Sequence, residues 1–299
     1  MTMLNPPTKP YAKVDGQGVN ILNADEAIAQ VRSRLLAGRG FTFSTLNLDH
    51  LVKLRENEAF RAAYSRATLI SADGAPVVAM CRAQAPEMRR TTGADLLRPL
   101  CELAAREKIP VAFFGSTEQS LNLAAAKLSN EIPGLIIASL ISPPLGFDPS
   151  SAEARSLGAQ MGRSGARLVF VCLGAPKQET FADGMARAFP EIGFVSVGAA
   201  VDFVAGTQIR APGLAQALGL EWLWRLCGNP RRLTSRYVKC GMLFGRLLIE
   251  AKLKPSTAPQ FASPDSWGRA RRTDSPLQPI IEATPRRRRD PSAGIEEPT

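Results

Sequence analysis

The amino-acid sequence predicts an α/β protein with a mostly parallel sheet covered by helices on both faces, a Rossmann-like arrangement, followed by a basic helical appendage. Short runs of β-branched and aromatic residues alternate along the chain with longer segments of helical periodicity, which is the order of βαβ units. The runs are apolar enough to indicate strands buried on both faces. A concentration of positive charge follows the last of these units.

Each predicted element rests on its own pattern. In chain order, the predicted strands are residues 41–46, 68–71, 111–114, 135–141, 168–173 and 194–201. The predicted helices carry apolar residues three or four positions apart and cover residues 24–36, 49–65, 94–107, 118–130, 152–162 and 178–188. Glycine or proline often closes these segments, as is typical of helix ends. In such a sheet, ligands bind beyond the carboxyl ends of the strands.

Composition divides the chain into three segments. Residues 1–218 form the predicted α/β core. Residues 219–254 hold eight basic and two acidic residues, with Leu233, Tyr237, Phe244 and Leu247 at helical spacing, which predicts a basic amphipathic appendage. From composition alone, a surface helix that packs on the core and a helix that contacts a membrane both remain open. Residues 255–299 contain 8 of the 23 prolines and an arginine run at 286–289. We expect this tail to be disordered.

The overall composition narrows the class of protein. The chain has 299 residues, of which 45% are hydrophobic and 21% charged, as in globular proteins rather than disordered or multi-spanning ones. No apolar run reaches the roughly 20 residues of a spanning helix, and residues 1–11 lack the features of a secretory signal. We therefore expect a cytoplasmic protein. The net charge of +10 predicts an anionic partner, for which phosphate, nucleic acid and anionic lipid all remain open.

Several motifs are missing from the sequence. The five cysteines form no Cys-x-x-Cys pair and His50 is the single histidine, which argues against a zinc site, a disulfide framework and a catalytic triad. Neither a Gly-x-Gly-x-x-Gly nor a P-loop motif follows a predicted strand. Without an Asp-x-Asp pair, we expect arginines and backbone amides rather than a metal ion to neutralise any bound diphosphate. The sequence predicts no metal and no cofactor.

Polar residues cluster where four of the predicted strands end. They are Thr45, Asn47 and Asp49 after the first strand, Ser71-Ala72-Asp73-Gly74 after the second, Gly174-Ala175-Pro176-Lys177-Gln178-Glu179 after the fifth, and Asp202 followed by Gly206, Arg210, Ala211 and Pro212 after the sixth. A parallel sheet brings these positions to one edge. Each cluster singly also fits turn formation or helix capping, and that alternative remains open.

Blocks of sequence around these clusters resemble the WecG/TagA/CpsF glycosyltransferase family over roughly residues 15–245. The resemblance rests on Asn47 with Asp49-His50, Ala72-Asp73-Gly74, the Arg90-to-Leu96 block, Gly174-Ala175-Pro176-Lys177-Gln178-Glu179, the Gly198-to-Phe203 block with Arg210-Ala211-Pro212, Glu221-Trp222-Leu223-Trp224-Arg225-Leu226, and Pro230-Arg231-Arg232-Leu233. The blocks from Gly174 and from Glu221, in this order and spacing, are the most specific.

The resemblance implies an inverting, metal-independent transferase. Such an enzyme moves a hexose or N-acetylhexosamine, such as ManNAc, ManNAcA or glucose, from a UDP-sugar to a polyprenyl-diphosphate-linked saccharide in cell-surface polysaccharide synthesis. The UDP-sugar is a co-substrate and not a cofactor. The implied location is the inner face of the cell membrane, with the membrane surface contacted through residues 219–254. Whether the protein forms a homo-oligomer is left open.

The resemblance also implies roles for individual residues. Asp73 resembles the general base and Arg90 a substrate-contacting arginine, with Thr45 and Asn47 beside it. Gly174 and Gln178 correspond to donor-binding positions, because a turn that opens a helix can present free N–H groups to a phosphate. Asp202 and Phe203 are expected to contact the nucleoside of the donor. In the appendage, Arg225, Arg231 and Arg236 are expected to close over the diphosphate.

Two other classes of function remain open on the sequence. A nucleotide-sugar-binding regulatory protein would keep the donor site but would not need Asp73 as a base. A basic nucleic-acid-binding protein would use the positive charge, although the sequence shows no recognised binding motif and little aromatic interleaving. The role of Asp73 separates the transferase from the regulatory protein.

Overall fold

The structure is a computed structural model that describes residues 9–217 and 219–253. The described residues belong to one compact unit. The tail at 255–299, which is predicted to be disordered, lies outside the described residues.

Strands and helices alternate through most of the described chain. The strands are β1 Ala12–Val14, β2 Gln17–Val19, β3 Phe41–Leu46, β4 Leu69–Ala72, β5 Val111–Gly115, β6 Ile137–Ile141, β7 Leu168–Cys172 and β8 Gly193–Ser196. The helices are α1 Ala24–Leu36, α2 Leu48–Glu56, α3 Glu58–Arg66, α4 Ala75–Arg82, α5 Gly93–Arg106, α6 Glu118–Glu131, α7 Ala152–Arg163, α8 Lys177–Ala188, α9 Ala200–Ala205, α10 Gly213–Ala217, α11 Glu221–Gly228 and α12 Pro230–Leu253.

Six of the strands form one parallel sheet in the order β4-β3-β8-β7-β5-β6. The predicted fold class is therefore confirmed: the protein is an α/β, Rossmann-like protein. Strands β3 and β4 lie side by side, so the segments that follow them, Asn47 and Asp73, emerge next to each other at the carboxyl edge.

Both faces of the sheet are covered by helices. Alternate residues of each strand point to opposite faces, so Phe113 of β5 belongs to one core cluster and Phe114 to another. Helices α1, α5, α6 and α9 complete the first cluster. On the other face, α2, α3 and α4 build one cluster, and α7 and α8 build the next. The nearly continuous apolar strands are explained by this burial on both faces.

A short hairpin, β1–β2, precedes the sheet and was not predicted. Its two-residue turn, Asp15-Gly16, has positive φ at both positions, as tight hairpin turns require. The chain then covers the β4 edge: the Asn20 side chain accepts from Ile70 N at 2.7 Å and donates to Thr68 O at 2.9 Å. The hairpin strands are too short for a periodic pattern, so the Asp-Gly pair was the only available signal.

Two predicted elements differ from the structure by more than two residues, and helix α4 was not predicted. The helix predicted over 49–65 divides at Asn57, which ends α2 and caps α3 by accepting from Phe60 N at 2.9 Å. The strand predicted over 194–201 ends at Ser196, because Gly198 takes a positive φ and α9 begins at Ala200. Helix α4 directly follows the Asp73-Gly74 turn, in a segment that the sequence analysis left unassigned.

The predicted basic appendage forms two helices, α11 and α12. Helix α12 packs on α2, burying Cys240, Leu243 and Leu247 against the core. Two ion pairs join the same helices, Arg236–Asp49 at 2.9 Å and Lys239–Glu56 at 2.8 Å. No helix in the described residues has the length and apolar content needed to cross a bilayer. The division of the chain into domains at residue 219 stays a prediction.

Candidate active site

A cavity of about 370 Å³ lies between the carboxyl edge of the sheet and the two appendage helices. The core contributes the segments after β3 and β4, and α11 and α12 close the opposite side. The lining residues are Asn47, Leu48, Asp49, Asp73, Gly74, Ala75, Pro76, Arg90, Gly219, Glu221, Trp222, Arg225, Arg236, Tyr237, Cys240, Gly241 and Phe244. Most of the wall is apolar, and the charged groups concentrate around Asp73.

Asp73 stands at the junction of β4 and α4. Its backbone N–H donates to Leu46 O at 2.8 Å, which ties the turn to the neighbouring strand β3. Gly74 follows with φ +80°, a conformation that favours glycine, and Pro76 lies in the first turn of α4. This sharp turn leaves the Asp73 carboxyl half-buried at the base of the cavity.

The surroundings of Asp73 tune its acidity. Burial raises the pKa of Asp73 from 3.8 to about 6, and the Glu221 carboxylate acts in the same direction. The positive charge of Arg225, a hydrogen bond from the Asn47 side chain and the charge of Arg90 act against this rise in pKa. A carboxylate with a pKa near 6 is mostly ionised at neutral pH and is still basic enough to accept a proton.

Asn47 is held by the start of α2. Its side-chain oxygen accepts from His50 N at 3.0 Å as the helix cap, so its amide group is available to Asp73. His50 itself points into the core, where its Nδ1 lies 2.6 Å from the Tyr64 hydroxyl. Burial lowers the pKa of His50 to about 3, so the single histidine is neutral and lies outside the cavity lining.

Arg90 belongs to a ring of four alternating charges. It contacts Glu221 at 3.0 Å and Asp95 at 3.8 Å, and Arg210 contacts the same two carboxylates at 3.6 and 2.6 Å. Asp95 and Glu221 were not predicted as site residues, and Arg210 was predicted only as a member of the polar cluster after the sixth strand. All three lie in the sequence blocks that carried the family resemblance.

The three predicted appendage arginines have different surroundings. Arg225 lines the cavity, and within the described residues no carboxylate lies at ion-pair distance from it. Arg236 also lines the cavity but pairs with Asp49 at 2.9 Å, a carboxylate that Lys53 shares. Arg231 is exposed and outside the lining. The structure therefore does not bring the three predicted arginines together at one point.

The other predicted site residues lie outside the cavity lining, each with its own contacts. Asp202 accepts from Ser116 Oγ at 2.5 Å and from Gln208 Nε2 at 3.0 Å, with Phe203 beside it on α9. Gln178 is buried, accepts from Gly198 N at 3.1 Å and donates to Glu179 at 2.7 Å. Thr45 is buried in β3, where its carbonyl accepts from the Tyr64 hydroxyl at 3.3 Å.

The turn at Gly174 differs from its prediction. The free N–H groups expected at the start of α8 are engaged, because Lys177 N and Gln178 N both donate to Gly174 O, at 3.0 and 3.4 Å. The tight turn through Pro176 folds these amides back onto the chain. A phosphate would therefore have to displace these contacts or use other donors.

Glu179 is a buried carboxyl to which the sequence assigned no role of its own, although it ends the block that begins at Gly174. One oxygen accepts from Gln178, while Oε2 has no hydrogen-bond partner in the described residues. Burial raises the pKa of Glu179 to about 7. Nothing in its sequence pattern separates it from a solvent-exposed glutamate in the first turn of a helix.

No group of three or more His, Cys, Asp or Glu side chains in the described part of the chain is arranged to hold a metal ion. The cavity instead combines one carboxylate of raised pKa with a facing arginine. Such a pair can accept a proton from a hydroxyl group and stabilise negative charge on a departing group.

Comparison with known proteins gives one family match. The sequence profile described as "Glycosyl transferase WecG/TagA/CpsF family" matches residues 12–258, which includes both the sheet and the two appendage helices.

Proposed function

The chain belongs to the WecG/TagA/CpsF glycosyltransferase family, and on that premise we propose that it transfers a hexose or N-acetylhexosamine from a UDP-sugar to a polyprenyl-diphosphate-linked saccharide with inversion. Membership makes it a glycosyltransferase of cell-surface polysaccharide synthesis. The proposal of an inverting transfer from a UDP-sugar rests on one observation: the Asp73 carboxyl lies in a cavity that Arg225 also lines.

In the proposed reaction, Asp73 is the general base. The acceptor hydroxyl gives its proton to the Asp73 carboxylate while its oxygen forms a bond to the anomeric carbon of the donor. The bond between that carbon and the phosphate oxygen breaks, and its electron pair leaves with UDP. A single displacement of this kind inverts the anomeric centre and requires one base and a stabilised leaving group.

Arg225 is the proposed partner of the departing diphosphate. A cation already held by a carboxylate would have to exchange that partner for the phosphate, whereas Arg225 has none within the described residues. Arg90 remains a proposed substrate contact, although it already pairs with the carboxylates of Asp95 and Glu221. We therefore favour Arg225 over Arg236, which pairs with Asp49, and over Arg231, which lies outside the cavity lining.

The nucleoside side of the donor site is proposed at the neighbouring strand ends. Gly174 follows β7, Gln178 opens α8, and Asp202 with Phe203 lies on α9 after β8. These positions share the carboxyl edge of the sheet with Asp73, which is where ligands of parallel α/β sheets bind. Thr45 would then support the site from within β3 rather than touch the substrate.

The acceptor proposal requires access to a lipid surface, which α12 supports. Val238, Met242 and Ile249 form an exposed apolar stripe on the side of α12 opposite its buried residues. Helix α11 adds exposed Trp224 and Leu223. Apolar residues flanked by basic ones are typical of helices that lie on an anionic membrane surface, and we propose that these helices dock at the inner face of the cell membrane.

The proposed function is tested by assaying the full chain against a panel of UDP-sugars with a polyprenyl-diphosphate-sugar acceptor. We expect UDP release that depends on the acceptor, and we expect it to persist in excess EDTA, since we propose a metal-independent reaction. UDP-sugar binding without turnover on any acceptor would favour the regulatory protein instead. Loss of turnover in EDTA that Mg²⁺ restores would contradict metal independence.

A further inference from the structure

The first residue of α11 is joined to the α/β core by ion pairs. Glu221 contacts Arg90 at 3.0 Å and Arg210 at 3.6 Å, and Asp95 pairs with both arginines from the other side. The four side chains are only 19–30% exposed. Because the charges alternate and water has limited access to them, each pairing is less screened than an ordinary surface ion pair.

This ring joins segments that are far apart in sequence. Arg90 precedes α5, Asp95 lies in the first turn of α5, and Arg210 follows α9. Helix α11 itself has no buried residue, so apolar packing contributes little to holding it on the core. The ion pairs of Glu221 are therefore the main specific contacts between α11 and the core that the described residues show.

A second contact fixes where the chain enters α11. Gly219 has φ +72°, and a Cβ at this position would lie 2.6 Å from the Ala75 Cβ, closer than two such atoms can approach. Ala75 is two residues after Asp73. The segment leading into α11 thus passes directly against the turn that carries the proposed base.

Glu221 and Arg225 share one face of α11. They are four residues apart, about one helical turn, and both line the cavity above Asp73. The charge of each acts on the Asp73 carboxyl. The attachment of Glu221 to the core therefore determines where Arg225 lies relative to Asp73.

We propose that Glu221 is a positioning residue, which pairs with Arg90 and Arg210 to hold α11 so that Arg225 faces Asp73 across the cavity. This role rests on the proposed function and adds to it a residue that touches neither sugar nor phosphate. Without the Glu221 charge, α11 keeps its contact with α12, where the Trp222 ring lies 5.7 Å from the Tyr237 ring, but loses its ion pairs to the core, so the place of Arg225 relative to Asp73 is less well defined. A misplacement of about 1 Å at a reacting centre can cost on the order of 100-fold in rate.

The test compares Glu221→Gln with Glu250→Gln in the full chain. Glu250 is a matched control, because it lies on α12 in an exposed ion pair with Arg246 at 2.7 Å. Hydrogen–deuterium exchange reports the attachment of α11 without any substrate. We expect faster exchange over residues 221–228 in Glu221→Gln only, and a fall in kcat of about 10- to 100-fold with a smaller change in KM.

A double-substitution cycle with Arg210→Gln shows whether Glu221 acts through the core arginines. We expect the double variant Arg210→Gln/Glu221→Gln to lose less activity than the losses of the two single variants multiplied together, because both changes break the Glu221–Arg210 contact. Unchanged exchange in α11, or faster exchange with unchanged kcat, would overturn the proposal. If the wild-type chain transfers no sugar, the proposed function fails, and the exchange comparison alone decides whether Glu221 holds α11.

Discussion

At the scale of single residues, the proposed role of Asp73 as a base places two opposing requirements on its carboxyl group. A base needs a raised pKa and access to the acceptor, but the burial that raises the pKa also makes the ionised form costly to the fold. The structure balances these demands with Asn47 and Arg225, which stabilise the carboxylate, against burial and Glu221, which destabilise it. Both the activity and the stability of the protein should therefore depend on pH through this one residue.

The first prediction concerns the pH profile of transfer. Asp73 must be ionised to accept a proton, and its pKa is about 6. We expect kcat/KM to rise with pH up to about 6, by about tenfold per pH unit below that value, and to level off above it. Steady-state kinetics over this range give the apparent pKa of the rise in kcat/KM. An apparent pKa that stays near the ordinary aspartate value would mean that another group is the base.

The second prediction concerns stability. A carboxyl whose pKa is raised on folding favours the folded state while protonated, and this contribution is lost as the pH rises through about 6. The side chain in Asp73→Asn is neutral at every pH. At neutral pH, the free energy of unfolding of this variant should therefore exceed that of wild type by about 1–2 kcal/mol, a value discounted for the partial exposure of Asp73 to solvent. Thermal unfolding should show a gain that shrinks as the pH is lowered toward about 4. The exposed Asp25→Asn is the control, and an equal gain there would contradict the assignment.

Site residues differed in how far the sequence could predict them. Asp73 and Asn47 follow adjacent strands, so strand order alone brings them together once the sheet is parallel. Glu221 could not be found this way, because its partners Arg90 and Arg210 are 131 and 11 residues away and meet it only through tertiary packing. Glu179 has an ordinary pattern, and only the surrounding core shows that it is buried.

At the scale of elements, the long strands and helices were predictable and their junctions were not. Helix α5 follows from periodicity over 14 residues, whereas the break at Asn57 depends on one side chain that caps α3 in preference to continuing α2. A basic amphipathic appendage over residues 219–254 was expected from charge and spacing, but its division into the two helices α11 and α12 was not. That α12 turns Leu243 and Leu247 toward α2 depends on an apolar site that the core leaves open.

The third prediction belongs to α11. Arg225 is the cavity arginine without a carboxylate partner in the described residues, so Arg225→Gln should lower kcat by about 100- to 1,000-fold, as when one donor to a developing negative charge is removed. Arg246→Gln, on the exposed side of α12, should leave kcat unchanged. A loss of this size in Arg236→Gln, with no loss in Arg225→Gln, would assign the diphosphate to Arg236.

At the scale of the whole molecule, α12 presents apolar residues on two sides. One side packs on the core, and the other, with Val238, Met242 and Ile249, faces outward. A stripe of this kind has no role in packing within the described residues, but a bilayer would cover it. In the proposed docking, the carboxyl edge of the sheet would face the membrane, where the proposed lipid-linked acceptor would be held.

The fourth prediction tests this orientation. Replacing Val238, Met242 and Ile249 together by glutamine should weaken sedimentation with vesicles of anionic lipid, while turnover of a detergent-solubilised acceptor is kept. Wild-type binding should fall as salt is raised, because the basic residues of the appendage contribute about 1 kcal/mol each at low salt. Leu145→Gln, which changes a fully exposed leucine elsewhere, is the control. Vesicle binding that neither the stripe nor salt affects would contradict the docking surface.

The central claim is that Asp73 takes the proton from the acceptor in a cavity closed by Arg225. It is tested most directly by single-turnover sugar transfer in wild type and Asp73→Asn, with UDP affinity measured on both proteins. We predict a loss of transfer of about 100- to 10,000-fold with UDP affinity nearly unchanged, because the base acts on the acceptor and not on the nucleotide. Near-normal transfer by Asp73→Asn would contradict the claim.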